Sequence, residues 1–201
     1  MKKKILLIAG GYSNEREVSL LTAKSVYSEL KKNKKYNLKI VEPDGKFIKK
    51  LRLYKPNIVL NLLHGRYGED GYIQSILESE KVKYTHSGVL SSSLAIDKEL
   101  SKKIFLKNNI LTPPYIIFSF KKYLDKKKIL KRINQKFDFP VVLKPINEGS
   151  SVDVYISNKK NFIKNLNKLK KYSQILIEKF IPGREIQAAI LGNKKLGIIE
   201  L

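Results

Sequence analysis

Within His64-Gly65-Arg66-Tyr67-Gly68-Glu69-Asp70-Gly71, one imidazole and two carboxylates share a short stretch with three glycines. Glycines let backbone N–H groups approach an anion, and acids can open a following helix where its dipole favours negative charge. A structural turn would use the same Gly and Asp residues, and a single His is more often packed or solvated than catalytic. A second cluster is Gly10-Gly11-Tyr12-Ser13-Asn14-Glu15-Arg16-Glu17. It lacks the spacing of a dinucleotide fingerprint, so a nicotinamide cofactor is poorly supported. A carboxylate such as Glu15 in the first turn of a helix can bind a small ammonium group. The plainer alternative is that Glu15 and Glu17 complement the helix dipole.

Lys144, followed by Asn147-Glu148-Gly149-Ser150-Ser151, offers a cation, flexible backbone donors and hydroxyls, which together suit a phosphate. It is not the Walker pattern, because the Lys precedes the Gly loop and lies on an expected strand. Glu178-Lys179-Phe180-Ile181 supplies an acceptor, a cation, an aromatic and an aliphatic that can clamp a purine. The later Glu185 can hold ribose hydroxyls. Against this stands an ordinary edge strand.

Elements must position these groups. Lys4–Ala9 reads as a strand buried on both faces, followed by a Gly-Gly turn. A helix then carries Val18, Leu21, Val26 and Leu30 on or near one face, with Asn14 and Glu17 spaced as a capping box. Strands are expected at Tyr36–Val41, Asn57–Leu63 and Lys81–Thr85, and a helix at Gly71–Ser79. The alternation predicts a parallel sheet with helices on both faces, and ligands near the carboxyl ends of its strands. The loops at 10–16, 64–71 and 85–88 lie there. A change of character begins at Asp97. Helices are expected at 97–108, near 121–136 and at 159–172. Strands are expected at Tyr115–Phe118, Pro140–Lys144, Val154–Ser157, Gln174–Phe180, Glu185–Leu191 and Leu196–Leu201.

The chain has 201 residues, 41 Lys+Arg against 18 Asp+Glu, a formal charge of +23, and no Cys. Disulfides and Cys-ligated zinc are excluded. The 36 Lys and 5 Arg are spread over expected surface helices, in runs such as Lys31-Lys32-Asn33-Lys34-Lys35 and Lys126-Lys127-Lys128. Nucleic-acid readers favour clustered Arg or interleaved aromatics, so a solvated lysine surface is preferred, with polyanion binding only at low salt. The N-terminal apolar stretch is too short for a signal peptide and lacks a cleavage pattern. No apolar run approaches the roughly 20 residues that span a bilayer. A soluble, cytoplasmic protein is expected.

Taken in order, these segments resemble the D-alanine–D-alanine ligases of the ATP-grasp superfamily. The resemblance rests on Gly10-Gly11 with Ser13 and Glu15-Arg16-Glu17-Val18-Ser19, and on the His64–Gly71 segment with Gln74. It continues through Tyr84-Thr85, Ser87-Gly88, Asp97-Lys98, Pro140-Val141 and Lys144-Pro145, then Glu148-Gly149-Ser150-Ser151-Val152 and Glu178-Lys179-Phe180. It implies an α/β fold with an N-terminal parallel-sheet, Rossmann-like (pre-ATP-grasp) domain over 1–96. An α+β ATP-grasp central domain would follow over 97–201, incomplete because the C-terminal ATP-grasp portion is missing.

The implied roles are as follows. Glu15 would bind the ammonium of the first D-alanine, and Ser150 would join the network that positions it. His64 would lie beside the substrate. Lys98, Lys144 and Ser151 would hold ATP phosphates, while Glu178, Lys179, Phe180 and Ile181 would clamp adenine and Glu185 the ribose. ATP would phosphorylate one D-alanine carboxylate, and the amine of a second D-alanine would displace phosphate. Mg2+ or Mn2+ is implied for the family, with ligands beyond Leu201, and a homodimer through the first domain is implied too. The expectation is therefore a truncated ligase, inactive alone. Alternatives are another ATP-grasp carboxylate–amine ligase, a noncatalytic nucleotide- or amino-acid-binding short form, or a polyanion-binding protein. Two residues depart from the family pattern. Asp153 stands where glycine is usual after Ser-Ser-Val and would place an anion near the phosphate loop; His86 stands where another residue is common.

Overall fold

The computed structural model describes residues 2–120 and 126–200. Two sheets form the frame. In the first, β1 (Lys3–Ile8) lies between β2 (Tyr36–Val41) and β3 (Ile58–Asn61), all parallel, in the order β2-β1-β3. The centre position explains why Ile5 to Ala9 are all buried. Leu6 and Ile8 enter a cluster with Val41, Val59, Leu63, Ile73 and Leu77. Helix α1 (Arg16–Leu30) turns Ser19 and Ala23 inward.

That last point corrects the expected helix face. Val18 and Leu21 are exposed, and the small residues Ser19 and Ala23 make the contact. The capping box is also absent: Glu15 is the N-cap, without a side-chain bond to the helix. The Glu15 N–H instead donates to Ser13 Oγ at 3.2 Å. Helix α2 (Phe47–Tyr54), which the pattern did not reveal, packs Phe47 and Leu51 into the same cluster. Helix α3 (Tyr72–Ser79) follows Gly71, which takes the left-handed N-cap position. The expected strand at 81–85 is reduced to one parallel bridge between Val59 and Tyr84.

Helix α4 (Val89–Ile96), also unforeseen, leads into α5 (Lys98–Lys107). Asp97 caps α5 by accepting from the Glu99 and Leu100 N–H groups, each at 2.9 Å. The second sheet is antiparallel, in the order β4 (Tyr115–Ser119), β7 (Gln174–Lys179), β5 (Val141–Pro145), β6 (Tyr155–Ser157). Its core face holds Ile116, Phe118, Val141, Leu143, Ile175 and Ile177. Against that face pack Ile129 and Ile133 of α6 (Lys126–Lys136), and Phe162 and Leu166 of α7 (Phe162–Lys168) with Leu169. Both helices carry inward residues four apart, as the helical period requires. Residues 121–125 of the helix expected near 121–136 lie outside the described residues, as does Leu201. The remaining strands, β8 (Ile186–Leu191) and β9 (Lys194–Glu200), pair only with each other among the described residues. Both are exposed along their length.

Candidate active site

The period of two along a strand sets the site in the second sheet. On β7, Ile175 and Ile177 enter the core, so Leu176 and Glu178 face the other way; on β5, Val141 and Leu143 do the same, leaving Val142 and Lys144. Lys144 is opposite Leu176 in the register, and Glu178 is two residues further along. Long side chains span that diagonal. Lys144 Nζ accordingly forms an ion pair with Glu178 Oε1. β7 is an inner strand, not the ordinary edge strand of the plainer reading.

Helix α5 lies over the same face. Lys98 Nζ donates to the carbonyl oxygens of Ile146, at 3.3 Å, and Glu148. Its backbone N–H also reaches the Ile146 carbonyl, at 3.1 Å. The helix start and the loop after β5 are thus tied together. Burial, with the nearby Lys144 cation second, lowers the Lys98 pKa below the ordinary lysine value.

That loop reaches the first sheet. Ser150 Oγ donates to Glu15 Oε1, joining residues 135 apart in sequence. Glu15 is 8% exposed, a carboxylate held at the carboxyl end of β1. Gly65 closes its other side so tightly that a Cβ there would overlap Glu15 Oε2. Ser13 Oγ donates to the His64 carbonyl at 2.8 Å, and His64 Nε2 lies 3.2 Å from Thr22 Oγ1. Ser19 bridges the ends of β1 and β3, accepting from the Gly10 N–H at 2.8 Å and donating to the Leu62 carbonyl at 2.6 Å.

The two acids of the His64–Gly71 segment serve its own backbone. Glu69 Oε2 accepts from the Gly65 N–H at 3.1 Å. Asp70 accepts from the N–H groups of Tyr67 at 2.9 Å and Tyr72 at 3.1 Å. Asn61 Nδ2 and Gln74 Nε2 both donate to the Gly68 carbonyl at 2.8 Å. The loop is therefore built to hold Gly65 against Glu15.

The structure brings Glu15, Ser150 and Gly65 together at one centre and Lys98, Lys144 and Glu178 at another, joined by the 146–151 loop. Ser151 is exposed on that loop. Lys179 and Ile181 are exposed, Phe180 is half-buried, and the Phe180 N–H donates to the Pro140 carbonyl at 3.1 Å. Glu185 is exposed, and among the described residues no hydrogen bond or ion pair links it to the lysine centre. Sequence reading missed Lys102: its ammonium is buried against Glu178 at 2.7 Å. The signal was present, since Lys98 and Lys102 are four apart on one helix face.

Asp153 does not leave a bare anion near the phosphate loop. Its carboxylate accepts from Tyr172 Oη at 2.6 Å and Tyr155 Oη at 3.0 Å, and Lys171 Nζ lies 2.7 Å away. Lys171 first, then the Tyr172 hydroxyl, hold its pKa below the usual carboxylate value. A depressed acid contributes stability above its unfolded pKa and loses it as pH falls through the folded one. Asp153→Asn should therefore lower unfolding free energy by under about 1 kcal/mol at pH 7, the range for a partly exposed pair. Denaturant titrations should show that gap closing as the pH is taken below 3.8. A gap unchanged at low pH would remove the charge as its source. His86 takes a left-handed φ of 79°, with Nδ1 3.0 Å from Thr85 Oγ1.

Among the described residues no group of three or more His, Asp or Glu stands where it could hold a metal ion. None of the described helices is long and apolar enough to cross a membrane.

A parallel α/β unit passing a carboxylate-bearing loop to an antiparallel sheet with a lysine-lined face is the ATP-grasp arrangement. The comparisons agree on that class. A crystal structure of D-alanine–D-alanine ligase from Bacillus anthracis superposes with a TM-score of 0.84 at 36% identity, covering 98% of this chain and 64% of that one. A second, complexed with ATP, gives 0.80 at 33% identity. Residues 104–201 match the family model described as D-ala D-ala ligase C-terminus. The chain is 59% identical over 201 residues to the D-alanine–D-alanine ligase of Pelagibacter ubique, and 41% identical over 199 residues to that of Wolbachia pipientis. It spans 65% and 61% of those relatives' lengths. Over nearly its whole length the chain is similar to D-alanine–D-alanine ligases.

Proposed function

We propose that this chain carries the nucleotide site and the first-substrate site of an ATP-dependent ligase that joins two D-alanines. The observation that carries this reading is the Ser150–Glu15 hydrogen bond, which couples the loop beside the lysines to a nearly buried carboxylate on the other sheet. A carboxylate facing a cleft suits the ammonium of an amino acid. Three lysines around one carboxylate leave an excess of positive charge, which suits a polyphosphate.

In this reading 1–96 and 97–201 act as two domains that meet across the bound substrates. Glu15 orients the first D-alanine, with Ser150 fixing the Glu15 carboxylate and His64 lining the pocket. Lys98, Lys144 and Ser151 hold phosphates. Lys179, Phe180 and Ile181 line the adenine, and Glu185 takes the ribose. Glu178 acts chiefly by holding Lys144, because its carboxylate is engaged by two ammonium groups. A carboxylate is a poor acyl donor; phosphorylation supplies a leaving group that the second amine can displace. The lysines neutralise charge on the transferred phosphoryl group. No metal-dependent step is assigned to these residues.

ADP release by the purified chain with ATP, magnesium and D-alanine tests the reading, with L-alanine as control. Binding of ATP without D-alanine-dependent release is the expected result for the chain alone; release that depends on D-alanine, and is lost in Glu15→Gln, would overturn the expectation that the chain is inactive alone. Release equal with L-alanine would sink the substrate assignment. ATP binding without release would confine the chain's own contribution to binding.

A further inference from the structure

We propose that Lys102 is a positioning residue of the nucleotide site. It takes one oxygen of Glu178, so that the other is left to fix the Lys144 ammonium where phosphate is held. The inference rests on the nucleotide reading above and deepens it. Lys102 is 7% exposed and lies in the middle of α5. Its Nζ is 2.7 Å from Glu178 Oε2, 2.7 Å from Thr112 Oγ1 and 3.0 Å from the Pro113 carbonyl, with the Tyr115 ring centroid at 5.1 Å.

A lysine is rarely this buried without a reason. Desolvating an ammonium is costly, and here it is offset by one full anion and two neutral acceptors. The anion is the informative partner. Glu178 is itself 6% exposed, and its second oxygen contacts Lys144, whose side chain is 22% exposed. The series Lys102–Glu178–Lys144 thus runs from a fully buried cation to one that reaches the surface of the cleft. One turn before Lys102, Lys98 grips the Ile146 and Glu148 carbonyls. One helix therefore sets both the loop and the carboxylate that aims Lys144.

Without Lys102, the second oxygen of Glu178 would be left buried with no cation. The carboxylate would then rotate toward Lys144 and water, drawing the Lys144 ammonium in and away from a phosphate. A different role is conceivable from the same contacts: Lys102 as a mere clip for the Thr112–Pro113 segment. The two make opposite predictions for Thr112.

Calorimetric titration of the chain with ATP and magnesium distinguishes them, with thermal unfolding run on each variant. Lys102→Met should raise the dissociation constant by about tenfold or more, whereas Thr112→Val, which keeps the ion pair, should change it by under about twofold. Should Lys102→Met fail to fold, Lys102→Met/Glu178→Gln removes both buried charges, and an uncharged pair is tolerated far better than a broken one. The double variant should fold and still bind ATP about tenfold more weakly. Parent-like affinity in the folded Lys102 variants would overturn the proposal. Equal weakening in Thr112→Val would overturn it in favour of the clip. No ATP binding by the parent chain would instead remove the nucleotide reading itself, and this proposal with it.

Discussion

Glu178→Ala is expected to lower the unfolding free energy by about 3–5 kcal/mol, the range for removing one partner of a buried ion pair. Glu178 and Lys102 are both more than nine-tenths buried, so the loss strands an ammonium with two neutral acceptors and no anion. The effect has a direction with pH. Burial already lowers the Lys102 pKa below the ordinary lysine value, and the bond to Glu178 is what opposes that shift. Removing the acid lowers it further. A base with a depressed folded pKa costs stability below that value and is relieved as pH rises toward its unfolded pKa. The variant should therefore be more impaired at pH 6 than at pH 9. Denaturant unfolding at both pH values is the measurement, and a loss under about 1 kcal/mol at each would show the pair to behave as a solvated one.

Gly65→Ala should separate function from stability. Gly65 has φ 66°, where an L-residue is strained by about 1–2 kcal/mol. The added Cβ would meet Glu15 Oε2, the far end of a side chain that can swing away, so the fold survives. The carboxylate does not keep its place. Losing a charge-assisted hydrogen bond to an ammonium weakens binding by about tenfold. Calorimetric titration with D-alanine should show a loss of about that size, while the unfolding free energy falls by no more than the backbone strain. Gly45→Ala is the control, since nothing lies within 4 Å of a Cβ there. Parent-like D-alanine affinity in Gly65→Ala would mean that Glu15 tolerates the shift and does not orient the substrate.

Parts of the fold were legible because short-range signals and tertiary packing agree. The strand expected at Tyr36–Val41 matches β2 to the residue, and the helix expected at 97–108 matches α5, with Asp97 as its cap. Elements lacking such signals were missed. Helix α2 starts at Lys46 without a side-chain cap, and α4 carries a Ser91-Ser92-Ser93 run that reads as loop. The face of α1 differs from the expectation because Val18 and Leu21 are exposed, Val26 and Leu30 are only half-buried, and the fully buried contact is made by Ser19 and Ala23. Nothing in a periodicity distinguishes a small residue chosen for close approach from one chosen by chance.

The residue types and their order by themselves point to the family resemblance, because four separate clusters in fixed sequence constrain far more than any one of them. They also determined which side chains of β5 and β7 share a face, since that follows from the strand period alone. Only the tertiary structure decided who meets whom across the chain. Ser150 reaches Glu15 because the loop after β5 is tied to α5 and folds back over the first sheet. Glu69 and Asp70, the most conspicuous acids in the sequence, proved to hold their own loop. Lys102, one lysine among 36, became significant only when it was found desolvated beside Glu178. Burial turns an ordinary charge into a costly one, and burial is a property of the packed molecule, not of the residue type.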